Sequence, residues 1–135
     1  MSLLPPQGVL RILFIDDHED TSALIQTFLE RTRRYVVIPA LTGAEGLKLA
    51  TTEPLDLIML DAWLPDVNGL DLCRQIRQSN AVTPILFYSG AAFSSDIEAG
   101  LNAGAQAYLV KPADLDDLEL AIRQLVDQAT GSFQS

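Results

Sequence analysis

The feature that most constrains the fold of this chain is a regular alternation of short apolar runs with segments of helical spacing. The runs are short and mostly apolar, which is typical of strands that are covered on both faces of a sheet. They occupy residues 9–15, 35–38, 55–60, 85–88 and 107–110. This alternation of strand and helix predicts a mostly parallel sheet with right-handed crossovers and helices on both faces.

The segments between and after the runs predict five helices, and some of their ends can be read from capping signals. Thr42 followed three residues later by Glu45 has the capping-box pattern of a helix start. Gly104 lies where a helix beginning near Ser94 would need a left-handed residue at its C-terminus. These signals support the number of helices that the apolar spacing indicates.

The length and composition indicate one domain. A chain of 135 residues with 48% hydrophobic content can bury one core of its own but is too short for two. We expect a flexible lead-in at residues 1–8, the domain at 9–129, and a tail or the start of a linker at 130–135. No stretch approaches the roughly 18 apolar residues that span a bilayer, and the single cysteine, Cys73, cannot form an internal disulfide. These features predict a cytoplasmic protein without membrane contact.

The net charge limits the kinds of partner that this domain can bind. Eighteen acidic residues stand against nine basic ones, which gives a formal net charge of −9. Such a charge repels phosphate backbones and anionic lipid surfaces on average. We therefore expect no direct binding of nucleic acid by this domain.

Polar side chains follow four of the five apolar runs. Asp16 and Asp17 come after the first, Asp61 after the third, Ser89 after the fourth and Lys111 after the fifth. In open α/β sheets, ligands bind outside the carboxyl ends of the strands, so these residues are expected to converge on one rim. Any one of them could simply be a strand end emerging into water, but the complete set points to a site.

The chemistry of this set favours phosphoryl transfer. Three carboxylates brought together repel one another unless a hard cation or a proton lies among them, and oxygen ligands favour Mg²⁺ or Mn²⁺ over zinc. Lys111 places a positive charge where a phosphoryl group would lie. Asp61 is then the candidate nucleophile that forms an acyl phosphate, with Ser89 holding a phosphoryl oxygen.

Four motifs carry a resemblance to a known family. They are RILFIDDHED, LDAWLPDVNG, YSG and GAQAYLVKP, in that order along the chain. Together they resemble the receiver domain of two-component response regulators, and the likeness runs from about residue 9 to 129. The resemblance implies a single doubly wound (βα)5 flavodoxin-like fold, a three-layer sandwich with a parallel five-stranded sheet in the order 2-1-3-4-5.

The resemblance also implies roles for the acidic residues. Asp61 is expected to accept a phosphoryl group and, with Asp17, to ligate Mg²⁺, while Asp16 acts on the metal chiefly through water. The backbone carbonyl of Trp63 is expected to supply a further metal oxygen. Trp63 and Ala91 occupy the two positions where the family tunes the lifetime of the phosphoryl group, which leaves that lifetime open.

The remaining residues are implied to form a switch. Lys111 is expected to pair with Asp61 and then with phosphoryl oxygens, and the Ser89 hydroxyl to swing inward as the ring of Tyr108 turns. The peptide bond between Lys111 and Pro112 is expected to be cis. The surface of the fourth helix, fifth strand and fifth helix is then the place where a partner or a second copy binds.

The implied partners follow from that reading. A histidine kinase or phosphotransfer protein donates the phosphoryl group, an output domain or protein reads the change, and a homodimer can form through the switching surface. The chain is expected to act as a signalling switch that assists its own phosphorylation and dephosphorylation, and not as an enzyme acting on a substrate.

Two other readings remain open at this point. One is a receiver-like interaction module without phosphate turnover. The other is a phosphohydrolase of the dehalogenase type, although that family has a D-x-D pattern where Asp61 is here followed by Ala62 and Trp63. His18 follows the acidic pair and could be read as a phosphodonor or metal ligand, but we interpret it as a loop residue.

Overall fold

In the computed structural model, which describes residues 8–131, five strands alternate with five helices. The strands are β1 (Leu10–Ile15), β2 (Tyr35–Ala40), β3 (Leu57–Leu60), β4 (Ile85–Ser89) and β5 (Ala107–Val110). The helices are α1 (Glu19–Glu30), α2 (Gly43–Thr52), α3 (Gly69–Ser79), α4 (Ser94–Asn102) and α5 (Leu115–Gly131). Helix α5 continues past residue 129, where we expected a tail to begin, while residues 1–7 and 132–135 lie outside the described residues.

The sheet is parallel, and its strand order β2-β1-β3-β4-β5 confirms the predicted fold class. Strands β1 and β3 are neighbours, with Ile15 opposite Leu60 at their carboxyl ends. The amide of Asp61 donates to the carbonyl of Ile15 at 3.0 Å. This register brings the residues that follow the two strands to the same place on the rim.

Two apolar layers cover the two faces of the sheet. Because successive strand residues point to opposite faces, Ile12 and Phe14 of β1 enter one layer, while Leu13 and Ile15 enter the other. The first layer packs against α1 and α5, and the second against α2 and α3. Cys73 lies buried in the second layer, where it packs as a small apolar side chain.

The predicted helix ends are found at Thr42 and Gly104. The Thr42 hydroxyl accepts the Glu45 amide at 3.2 Å, and the Glu45 carboxylate accepts the amide of Leu41. Gly104, just after α4, has a φ of +124°, which a side chain would strain. Helix α4 begins at Ser94, where the sequence predicts it.

The expectation that all five strands are covered on both faces is wrong for the two edge strands. In β2 buried and exposed residues alternate, with Val36 exposed and Val37 buried, and all four residues of β5 are half-buried. Strand β2 also runs through Pro39 to Ala40, two residues beyond the predicted end. Proline is tolerated there because β2 pairs with only one neighbour and can leave its other edge unpaired.

Within the described range, no helix combines the length and the apolar content that crossing a bilayer requires.

The amino end of the sheet is held by Arg77 of α3. Its guanidinium donates to the backbone carbonyls of Gly104, Asn80 and Thr83 at 2.7–3.0 Å and to the side chain of Gln106 at 2.7 Å. It therefore joins the end of α3 to the starts of β4 and β5. Arg74, one turn earlier, makes only an exposed ion pair with Asp71.

Replacing Arg77 should therefore cost more stability than replacing Arg74. We expect Arg77→Gln to lower the free energy of unfolding by about 2 kcal/mol or more, because it leaves several carbonyls without a donor. Arg74→Gln removes the same charge from the same helix and should cost less than about 0.5 kcal/mol. Urea denaturation followed by circular dichroism measures both, and equal losses would contradict this assignment.

Candidate functional site

Three carboxylates meet at the carboxyl ends of β1 and β3, and we call Asp16, Asp17 and Asp61 the acidic cluster. Asp16 is fully buried, Asp61 is 2% exposed and Asp17 is exposed to solvent. The neighbouring strands and their register place Asp16 and Asp61 side by side. The structure thus brings together the three carboxylates that the sequence places after these strands.

Lys111 reaches the acidic cluster from the end of β5. Its Nζ lies 3.3 Å from Oδ2 of Asp61, which is the expected pair, and 2.6 Å from Oδ2 of Asp16, which is the nearer partner. Burial alone would lower the pKa of Lys111, but the hydrogen bond to Asp16 and the charges of both carboxylates outweigh burial and raise it. The Lys111–Pro112 peptide bond is cis, which confirms the expectation from the motif.

The loop after β3 fixes the orientation of Asp61. The backbone amide of Trp63 donates to Oδ1 of Asp61 at 3.1 Å, while Lys111 takes Oδ2. Gly69, at the start of α3, packs directly on this loop: a Cβ there would lie 2.5 Å from the carbonyl oxygen of Asp61. Only glycine permits this close approach, so the first turn of α3 supports the backbone of Asp61.

The same loop is fastened to helix α2 by Asp66. Its carboxylate accepts the amides of Gly43 at 2.8 Å and Ala44 at 3.0 Å, which are free donors at the start of α2. These backbone hydrogen bonds lower the pKa of Asp66. The contact joins the candidate site to an element 22–23 residues earlier in the chain.

Ser89 and Tyr108 are both connected to the backbone of Ala91. The buried Ser89 hydroxyl accepts the Ala91 amide at 3.2 Å, and the Tyr108 hydroxyl donates to the Ala91 carbonyl at 2.6 Å. The Tyr108 ring stacks on Phe87, with ring centroids 5.4 Å apart. Burial raises the pKa of the Tyr108 phenol, which therefore stays a hydrogen-bond donor.

His18 is a loop residue, as the sequence analysis interprets it, and it also lies against the acidic cluster. It is the residue before α1, and its Nδ1 is 2.8 Å from Oδ1 of Asp16, 3.4 Å from Asp17 and 3.9 Å from Asp61. The hydrogen bond to Asp16, followed by the negative charge of that carboxylate, raises the pKa of His18. Its position directly after the acidic pair was the available signal.

The donor set fits a divalent cation. One ligand atom from each of Asp16, Asp17, Asp61 and His18 lies within 4.8 Å of the others. Three carboxylates this close are compensated by a single ammonium at Lys111, which leaves negative charge for a cation to neutralise. The role of the Trp63 carbonyl stays a prediction.

Comparison with known proteins gives consistent results. The sequence model of the family described as response regulator receiver domain matches residues 12–123. The response regulator ArlR of Staphylococcus saprophyticus is 40% identical over 116 residues, covering 86% of this chain and 52% of ArlR. The chain therefore spans about half the length of that relative.

Solved structures share the fold. A CheY-like receiver domain protein from Methanospirillum hungatei superimposes with a TM-score of 0.81 at 30% identity, covering 92% of this chain and 98% of that one. A response regulator from Burkholderia pseudomallei, described with a phosphorylated aspartic acid, a calcium ion and citrate, has a TM-score of 0.78 at 29% identity. That comparison covers 91% of this chain and 72% of the other.

The contact between His18 and Asp16 predicts a pH dependence. In metal-free protein the imidazole should titrate above its ordinary value of 6.5, and Asp16→Asn should bring it back toward that value. Since the folded-state pKa exceeds the unfolded one, this contact stabilises the fold fully below about pH 6.5 and loses its contribution as pH rises past the folded-state pKa.

Proton NMR can follow this titration without ambiguity because His18 is the only histidine. Glu19→Gln is the matched control, since it removes the carboxylate next to His18 in the sequence, which is not one of the three carboxylates around the imidazole. A wild-type midpoint at or below 6.5, or an equal shift in both variants, would contradict the contact.

Proposed function

The chain belongs to the response regulator receiver domain family, and from this premise we propose that it accepts a phosphoryl group on Asp61. The observation that carries the proposal is the environment of this carboxylate. Asp61 is almost fully buried, is held by Trp63 and Lys111, and lies beside Asp16 and Asp17. A buried carboxylate with a lysine and further carboxylates around it has the surroundings of a nucleophile at a phosphoryl-transfer site.

The proposed step is an in-line displacement at phosphorus. A carboxylate oxygen of Asp61 forms the new O–P bond as the N–P bond of a donor phosphohistidine breaks, and the electron pair of that bond returns to the imidazole nitrogen of the donor. Lys111 neutralises phosphoryl oxygens, and it must give up part of its contact with Asp16 to do so. Mg²⁺, or Mn²⁺ in its place, supplies charge neutralisation when bound by Asp16, Asp17, Asp61 and the Trp63 carbonyl.

The signal is proposed to leave the site through Ser89 and Tyr108. When the Ser89 hydroxyl turns to a phosphoryl oxygen it gives up the Ala91 amide, and Ala91 also accepts the Tyr108 hydroxyl. Tyr108 lies on β5 next to α4, so its movement changes the surface of α4, β5 and α5. That surface is the proposed binding place of an output domain or protein, or of a second copy.

The proposed partners and location follow the family. Response regulators of two-component systems work with histidine kinases, and we propose a histidine kinase or phosphotransfer protein as the donor, in the cytoplasm. The receiver unit is proposed to occupy residues 9–129, flanked by a lead-in and a linker or tail. With a net charge of −9 it is proposed to act without touching nucleic acid or membrane itself. Family membership decides against the dehalogenase-type hydrolase.

Phosphorylation should be visible as added mass. Incubation with Mg²⁺ and a small acyl-phosphate donor should add one phosphoryl group to the wild-type protein, and Asp61→Asn should abolish it because the amide is not a nucleophile. Asp71→Asn removes an exposed carboxylate with the same change of charge and should leave uptake intact. Intact-mass spectrometry separates these cases.

Two results of that experiment would count against the proposal. Uptake by Asp61→Asn at the wild-type rate would place the acceptor elsewhere. A wild-type protein that binds Mg²⁺ yet gains no mass would favour the receiver-like interaction module, whose partners recognise the unmodified surface.

Metal binding should be visible in the fluorescence of Trp63, the only tryptophan. Its amide contacts Asp61 and the residue is 64% exposed, so a cation among the carboxylates should change the surroundings of the indole. We expect a saturable change on Mg²⁺ titration that Asp17→Asn weakens and Asp20→Asn does not. Calorimetric binding with unchanged emission would show that the indole does not report on this site.

A further inference from the structure

The imidazole of His18 lies within the donor set that the three carboxylates form. Its Nδ1 is 2.8, 3.4 and 3.9 Å from oxygens of Asp16, Asp17 and Asp61, respectively. Donor atoms about 2.1 Å from one ion lie about 3.4 Å apart in tetrahedral geometry and about 3.0 Å apart at right angles. The three separations fall around these values, so the nitrogen has the spacing of a ligand.

Few other interactions compete for the imidazole of His18. His18 precedes the first turn of α1, yet its side chain makes no capping hydrogen bond to that helix. The side chain is 62% exposed and could extend into water, but Nδ1 instead turns toward Asp16 and shares Oδ1 with the backbone amide of His18. When Nδ1 loses its proton, its lone pair becomes available to a cation that is also bound by the neighbouring carboxylates.

A nitrogen donor changes which ions the site prefers. Carboxylates alone suit hard ions such as Mg²⁺, whereas imidazole nitrogen favours borderline ions such as Zn²⁺. We propose that Nδ1 of His18 is a further protein ligand beside the three carboxylates, and that it gives the site an affinity for Zn²⁺ that the three carboxylates would not provide. Zn²⁺ then competes with Mg²⁺ for the same carboxylates.

This inference rests on the proposed function, since it assumes that the acidic cluster holds a divalent cation. The two can still fail separately, because the phosphorylation experiment uses Mg²⁺ and Asp61, whereas the inference concerns Zn²⁺ and His18. Cys73, the only cysteine, is fully buried and does not offer a competing thiolate at the surface.

Calorimetry with tag-free, metal-free protein tests the preference directly, at a pH where the imidazole is neutral. His18→Phe keeps an aromatic ring but removes the nitrogen, and it should weaken Zn²⁺ binding by about tenfold or more while Mg²⁺ binding changes less than about threefold. Asp20→Asn is the matched control, because it removes a nearby charge outside the donor set, and its ratio of Zn²⁺ to Mg²⁺ affinity should stay at the wild-type value.

Nitrogen NMR of the wild-type imidazole gives a second reading that needs no variant. Zn²⁺ should shift the Nδ1 resonance of this single histidine in proportion to occupancy, and Mg²⁺ should not produce that shift. The proposal is overturned if His18→Phe weakens both ions equally or neither, or if Zn²⁺ binds without moving Nδ1. Failure of the wild-type protein to bind either ion would overturn the proposed metal site as well.

Discussion

The pairing of Lys111 with two buried carboxylates is the interaction on which the candidate site depends. Asp16 and Asp61 are nearly removed from water, and an unpaired charge in such a place costs several kcal/mol. One ammonium at 2.6 and 3.3 Å compensates part of that cost but cannot balance three carboxylates. The remaining negative charge favours the binding of a cation at this edge of the sheet. The imidazole of His18 also lies close to this charge.

This pairing exists because the sheet brings distant parts of the chain to one rim. Asp16 and Lys111 are separated by 95 residues, yet each directly follows a strand of the same parallel sheet. Parallel strands end on the same side, so the order of elements is sufficient to predict that these residues converge. Counting apolar runs does not reveal which strands lie at the edges. The strand order implied by the family resemblance does place β2 and β5 there, and their exposure follows from that order and not from their apolar composition.

The residues of the candidate site fall into two groups, those at the ends of strands and those on loops. Asp16, Asp61, Ser89 and Lys111 could be found from the sequence because their positions are fixed by where strands end. The position of His18 after the acidic pair marked it as a candidate, but the contacts of His18 and Asp66 were not predicted, since their side chains lie on loops whose directions depend on distant contacts. Asp66 turns toward the first amides of α2, a neighbour that neither spacing nor composition identifies.

The backbone of Ala91 has a consequence for how the loop after β4 can move. Its amide is held by the Ser89 hydroxyl and its carbonyl by the Tyr108 hydroxyl, so one residue is tied on both sides. A buried serine and a strand at the edge of the sheet are thus connected through one short stretch of main chain, so any rearrangement of the loop after β4 involves both of them.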